Sequence, residues 1–236
     1  MKSSSIVLLA ILFYSTQSFS QNDSLIFKNR RFISLSTNLS NRSYKFLNTN
    51  SSDNTGYISD LALNFSLGNF TKNGNANIFT LGLKNGNSEY DKLRANESSW
   101  KVSFAYAREK YKMLSNKIAI YGGLESNIFY ENTFKKGQDS FNSVVLKNES
   151  NITEIGVSMK AYPGIIYFIN SRWAVNATIG SLTLFSISNK KNNASGDYGD
   201  NGIIYTSYST DSNFTYNFNP SFSISNSGVG IRYFFK

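Results

Sequence analysis

The chain has 236 residues, with 24 Lys and Arg against 15 Asp and Glu for a formal charge of +9, and it contains neither Cys nor His. The first absence removes disulfides, thiolate nucleophiles and Cys metal sites, and the second removes the commonest general base and metal ligand. Only 2 Pro and 17% charged residues, beside 15 Tyr and 19 Phe, suit many short strands with aromatic faces and polar turns and do not suit a helical protein.

Residues 1–20 read as an export signal: Lys2, the apolar run Ile6 to Tyr14, then a short polar segment with Ser18 and Ser20 placed for cleavage before Gln21. The apolar run is too short for a membrane-spanning helix, which needs roughly 20 residues. No Cys near the cleavage site offers a lipid attachment point. Losing residues 1–20 takes one Lys and no acid from the totals, 24 and 15, and leaves a charge of +8. On an exported membrane protein that excess fits anionic lipid headgroups. Residues 21–236 are expected to form one domain, because an all-β barrel absorbs this length as a single unit.

Past the signal, the chain repeatedly places an apolar side chain at every second position, the period of a strand with two unlike faces. Residues 31–40 set Ile33, Leu35, Thr37 and Leu39 against Ser34, Ser36, Asn38 and Ser40. Residues 57–68 set Leu61, Leu63, Phe65 and Leu67 against Asp60, Ala62, Asn64, Ser66 and Gly68. Residues 77–88 oppose Phe79, Leu81 and Leu83 to Thr80, Gly82 and Lys84, and 98–110 oppose Trp100, Val102, Phe104 and Tyr106 to Lys101, Ser103, Ala105 and Ala107. In 117–130, Ile118, Ile120 and Leu124 alternate with Tyr121, Gly123, Glu125 and Asn127. In 151–163, Ile155, Val157, Met159 and Ala161 alternate with Glu154, Gly156, Ser158 and Lys160. Residues 172–188 carry Trp173, Val175, Ala177, Ile179, Phe185 and Ile187 against Asn176, Thr178 and Gly180. The chain ends on Val229, Ile231, Tyr233 and Phe235 against Gly228, Gly230 and Arg232.

An even number of strands lets a closed up-and-down barrel keep both ends on one side. The links at 69–76, 111–116 and 164–171 are short, whereas those at 41–56, 89–97, 131–150 and 189–213 are long and rich in Asn, Ser, Gly and charge. Short turns alternating with long loops is the pattern of an outer-membrane barrel, with the short turns in the periplasm. Aromatics fall at both ends of the expected spans, where a girdle at the two membrane interfaces needs them. One set is Phe70, Tyr111, Tyr162, Tyr167, Trp173 and Tyr233, and the other is Tyr44, Tyr57, Tyr90, Trp100 and Tyr130.

One stretch breaks the rule. Phe214, Tyr216, Phe218, Phe222 and Ile224 are even-numbered, while the apolar residues from Val229 onward are odd. A change of parity near Ser225 to Gly228 is either a bulge in one final strand, giving eight strands, or a turn between two, giving ten. An unbroken strand over 214–235 would span roughly 70 Å at about 3.3 Å per residue, over twice the hydrocarbon thickness. The expectation is a closed antiparallel transmembrane barrel of about eight strands.

An eight-stranded barrel is just wide enough for its own side chains to fill the middle. The inward set includes Asp60, Lys84, Lys101, Glu125, Glu154, Lys160 and Arg232, close to balanced in sign. Such charges are expected to pair, because an isolated buried charge is too costly. The reading is a lumen plugged by ion pairs, with a narrow channel for small solutes as the alternative.

Lipid-modifying and proteolytic outer-membrane barrels generally rely on a His, and no Ser, Lys and Asp constellation stands in for it. The chain is therefore read as a non-enzyme with no cofactor and no metal. Its Asn-x-Ser/Thr sequences follow from composition, and the glycines Gly86, Gly196 and Gly199 lack the Lys-Ser/Thr and helix of a phosphate-binding loop. Basic residues lie among aromatics without a stacking platform, which argues against nucleic acid.

The terminal run Gly228-Val229-Gly230-Ile231-Arg232-Tyr233-Phe234-Phe235-Lys236 resembles the last strand of bacterial outer-membrane barrels, where alternating apolar residues end in an aromatic. In that family the segment is read by the barrel-assembly machinery, which makes Tyr233 and Phe235 the candidate assembly signal. The mature chain looks like a small barrel of the OmpA/OmpX or porin-family type, and its Asn- and Lys-rich style is similar to proteins of the Bacteroidetes. The resemblance implies a structural or surface-interaction role in the cell outer membrane. Its partners would be outer-membrane lipid including lipopolysaccharide, the assembly machinery, and an extracellular ligand met by the loops at 131–150 and 189–213. A soluble lipocalin-like binder would carry the opposite arrangement, apolar inside and polar outside.

Overall fold

Alternation leaves every strand with one apolar and one polar face, and a sheet of such strands has two ways to curl. In the computed structural model it curls with the apolar face outward. The structure describes residues 30–46, 54–71, 74–90, 95–141, 144–200, 203–218, 220–223 and 227–236. The expected signal at 1–20 lies outside them.

The strands are β1 (Arg31–Phe46), β2 (Asn54–Phe70), β3 (Asn75–Tyr90), β4 (Ala95–Met113), β5 (Ile118–Phe141), β6 (Val144–Phe168), β7 (Trp173–Thr178), β8 (Ser181–Asp200), β9 (Ile203–Asn217), β10 (Ser221–Ser223) and β11 (Gly228–Phe235). From β1 to β6 each pairs antiparallel with the next. Both β7 and β8 pair with β6, so they are two parts of one strand. The break between them falls at Ile179 and Gly180, where Gly180 takes φ 139°, a conformation that L side chains rarely adopt. The β6–β8 ladder slips between Met159 and Lys160, as a bulge requires.

The end of the chain is interrupted in the same way. Strands β9 and β10 lie on β8, and β11 lies between β7 and β1. The eleven segments therefore form a ring of eight strands. The change of parity is an interruption within the last strand rather than a hairpin, and residues 224–226 of it lie outside the described residues. Closure runs from Arg31↔Phe235 to Thr37↔Val229. Beyond that pair, among the described residues, β1 continues against β2 and β9 against β8, with no ladder joining β1 to β9.

The long polar links are not loops for most of their length. Strands β5 and β6 stay in register from Ile118↔Tyr167 to Phe141↔Val144, and β8 and β9 to Asp200↔Ile203. Residues 131–150 and 189–213 are therefore tall hairpins, and the described parts of 41–56 and 89–97 are strand as well. The physical reason is that apolar alternation stops where the lipid-facing surface stops, while backbone pairing needs no apolar side chain. A tilted strand crosses a bilayer in about 9–11 residues. With 24 and 25 residues, β5 and β6 stand well beyond it.

Leu35, Leu63, Phe65, Leu81, Phe104, Ile128, Ile155 and Ile231 all face outward and are exposed. In water so large an apolar surface would be a liability, whereas in a bilayer it is the lipid-facing band of a barrel. This arrangement excludes the inverted, lipocalin-like one. Tyr167 and Trp173 bound the band at the end of the short turns, and Tyr57 and Trp100 at the other, where Trp100 packs on Tyr130 with ring centroids 5.2 Å apart. Phe70, Tyr111 and Tyr162, expected in the girdle, instead point into the lumen. Phe70 shares the parity of Gly68 and Ser66, Tyr111 that of Ala107, and Tyr162 that of Lys160, all on the inner face. The side chains of Tyr44 and Tyr90 lie outside those described.

Replacing Leu81 by Arg in the middle of the band should cost about 2–4 kcal/mol of stability in lipid vesicles. Urea-unfolding midpoints measure this, and an unchanged midpoint would mean that the band is not embedded.

Candidate functional site in the barrel lumen

Near the short turns the bore is filled in layers. The lowest is aromatic: Phe32 from β1 meets Phe70 from β2 at 5.5 Å and Phe234 from β11 at 5.6 Å, and Phe168 from β6 meets Phe234 at 5.6 Å. Around these rings the inner wall is lined by small side chains, Ala76, Ala107, Ala119 and Ala174, which leave room for the rings to reach the axis. Gly68 does the same for Phe32, whose ring occupies the space a Cβ would take.

Above the rings lies a buried ion pair. The Arg232 guanidinium donates from Nη1 to Glu109 Oε2 at 2.9 Å and from Nη2 to Oε1 at 3.2 Å. Both side chains are almost wholly buried, Glu109 at 2% and Arg232 at 5% exposure. Tyr162 donates to Glu109 Oε1 at 2.9 Å, while the Tyr111 hydroxyl accepts from Arg232 and donates to Glu109. Arg232 also stacks over the Phe32 ring at 4.8 Å and the Tyr121 ring at 5.2 Å. A forked guanidinium and two phenols satisfy a carboxylate that would otherwise be intolerable there.

Three wetter pairs follow up the bore. Lys160 meets Glu125 at 2.9 Å, Lys101 meets Glu131 at 2.9 Å and Lys84 meets Asp60 at 3.2 Å. Lys101 also sits 3.6 Å from the centroid of the Phe129 ring. Beyond them, the upper parts of β4, β5, β6, β8 and β9 form a hollow of about 450 Å³. Its lining includes Asn148, Ser150, Ser207 and Ser209 together with the pair Lys135–Glu97 at 2.7 Å.

Of the residues singled out in the sequence, the structure brings Asp60 to Lys84 and Glu125 to Lys160. Lys101 and Arg232 take partners that were not foreseen, Glu131 and Glu109. Glu154 lies across the ladder from Glu131 on one side and Lys190 on the other, with no ion pair among the described contacts. Glu109, inside the 98–110 stretch, and Glu131, just past the 117–130 stretch, were missed because the inner-face parity was followed only to Ala107 and Asn127. Carried further along the odd positions of β4 and β5, it reaches both. Tyr233 and Phe235 lie on the outer face of β11, paired with Ile33 and Arg31. Among the described residues there is no group of three His, Cys, Asp or Glu able to hold a metal.

The structure is similar to several solved outer-membrane proteins. OprG from Pseudomonas aeruginosa matches at 14% identity and a TM-score of 0.40, over 88% of this chain and 96% of that one. A major outer membrane protein from Thermus thermophilus matches at 11% and 0.40, over 87% and 99%. Ail of Yersinia pestis, solved with the heparin analogue sucrose octasulfate, matches at 9% and 0.37, over 88% and 99%. Likeness at this level carries no argument about function. No family model and no curated protein matches the chain.

Breaking the buried pair from either side should be severe. Arg232→Met or Glu109→Met leaves an uncompensated buried charge and should cost about 3–5 kcal/mol, while the double replacement should recover most of that loss. Lys84→Met, at a half-exposed pair, should cost no more than about 1 kcal/mol. Equilibrium unfolding of the refolded barrel reads all four variants, and additive losses in the double variant would show that the two residues do not act as a unit.

Proposed function

We propose that this chain is an outer-membrane barrel with a closed lumen, serving a structural or surface-interaction role and catalysing no reaction. The observation that carries this reading is the Glu109–Arg232 bracket seated on the layer of Phe32, Phe70, Phe168 and Phe234, which fills the bore at the end of the short turns. A solute moving through would have to break a buried, bidentate ion pair and part the rings beneath it. The apolar band and the order of short turns and tall hairpins support the membrane placement.

The hairpins supply the contact surface. Their hollow is lined by residues that carry hydroxyls, amides and a Lys–Glu pair, donors and acceptors that a polar, hydroxylated ligand would engage. Tyr233 and Phe235, on the outward face of the last strand, are the residues the assembly machinery would read during insertion. Lipopolysaccharide would surround the outer half of the band.

In planar bilayers the refolded barrel should be electrically silent, and Phe32→Ala combined with Phe234→Ala should give intermittent conductance. Steady open channels in the unmodified protein would overturn the closed lumen and favour a narrow pore.

A further inference from the structure

The outer surface changes character abruptly below the apolar band on β1 to β4. The last apolar row runs Ile33, Leu67, Phe79 and Tyr106, each paired with the next across the sheet. Two residues further along each strand, the next outward row is Arg31, Asn69, Asn77 and Arg108, again paired one to the next. Lys110 follows Arg108 on the same face of β4, and Arg31, Asn69, Arg108 and Lys110 are exposed. Tyr106 from the apolar row donates to the Asn77 amide oxygen at 3.1 Å, so what Asn77 offers a ligand is its N–H groups.

This row is unbalanced. Among the described residues no Asp or Glu side chain lies on the outer face of this end, because the nearest, Glu109, points inward and is held by Arg232. Among the described residues the other charged side chains around the rim, Arg30, Lys112, Lys117, Arg172 and Lys236, have the same sign. At the opposite end the outward Lys136 is matched by Glu149 at 3.1 Å.

We propose that the Arg31–Asn69–Asn77–Arg108 row, with Lys110, is a binding site for the phosphate of an anionic phospholipid in the inner leaflet. Two guanidiniums and two amide N–H groups present donors in a line about 14 Å long, from three spacings of roughly 4.8 Å between strands. Donors with no Asp or Glu side chain beside them complement a phosphodiester, which has acceptors only. The depth favours a lipid over a soluble polymer. The row is the first polar layer beneath side chains that face hydrocarbon, where acyl chains lying on Leu67 and Phe79 would place their own headgroup.

The inference rests on the band being embedded in lipid but not on the lumen being closed. Native mass spectrometry of the full chain, refolded in an uncharged detergent and titrated with phosphatidylglycerol or phosphatidylcholine, tests it. Phosphatidylglycerol should be retained preferentially. Arg31→Gln and Arg108→Gln should each weaken that retention about fivefold, the equivalent of one near-surface charge. Arg31→Lys with Arg108→Lys should preserve much of it, and Lys136→Gln, at the far end, should leave it unchanged. Equal retention of the two lipids by the unmodified protein, which needs no variant to fold, would overturn the proposal. So would competition by millimolar inorganic phosphate as effective as that by the lipid, or capture of peptidoglycan fragments without any preference between the lipids. Release of the folded protein into detergent-free buffer would instead strike at the embedding of the band.

Discussion

Closing eight strands into a ring leaves a bore that only the barrel's own side chains can fill, and the rest of this structure follows from how it is filled. Large rings must come from a few strands while neighbouring strands supply Ala or Gly, since eight large residues at one level would not fit. Phe32 over Gly68 and Tyr121 over Gly164 show the exchange: in each case the ring lies where a Cβ would be. The ladder then satisfies the backbone on both sides of most strands without help from side chains, which is the condition for crossing hydrocarbon at all.

The filling differs along the axis because water reaches the two ends differently. At the end of the short turns, rings and the Glu109–Arg232 pair exclude solvent, and every hydrogen bond made there is strengthened by the low local dielectric. Higher up, Lys84, Asp60, Lys101 and Glu131 remain a quarter or more exposed, and their pairs shape the bore without contributing much to stability. The same gradient explains why Glu154 is tolerated opposite Glu131, since a partly solvated carboxylate does not require a partner of its own.

Much of this was legible in the chain. Period-two alternation located every membrane-crossing segment, because one face meets lipid and the other does not. It did not locate the ends of the strands: the alternation fades at Ser40 and Tyr130, yet β1 continues to Phe46 and β5 to Phe141. Pairing beyond the bilayer is driven by the ladder and by tight hairpins, and Asn- and Ser-rich strands carry no hydropathy signal. Aromatic identity misled in a related way. A Tyr near a strand end reads as a girdle residue, but Tyr111 and Tyr162 sit on the inner parity, and parity rather than residue type decides the face. The same parity put Lys101 and Arg232 on the inner face and, carried further, reaches Glu109 and Glu131, while which charge meets which is set by the register.

The buried pair also constrains the closure. In the ring β4 and β11 stand opposite each other, four strands apart in either direction, so Glu109 and Arg232 form a strut across the full diameter between residues 123 positions apart in the chain. A slip of one residue in β11 against β1 or β7 would turn Arg232 toward the hydrocarbon and strand Glu109 in the bore. Apolar residues in their place could fill the volume equally well and could even raise stability. They would penalise the slipped arrangement far less, because an apolar side chain turned outward meets lipid at no cost. The strand in question most needs this discrimination. Its ladder to β1 extends only from Phe235 to Val229. A charged strut supplies the register information that so short a seam does not.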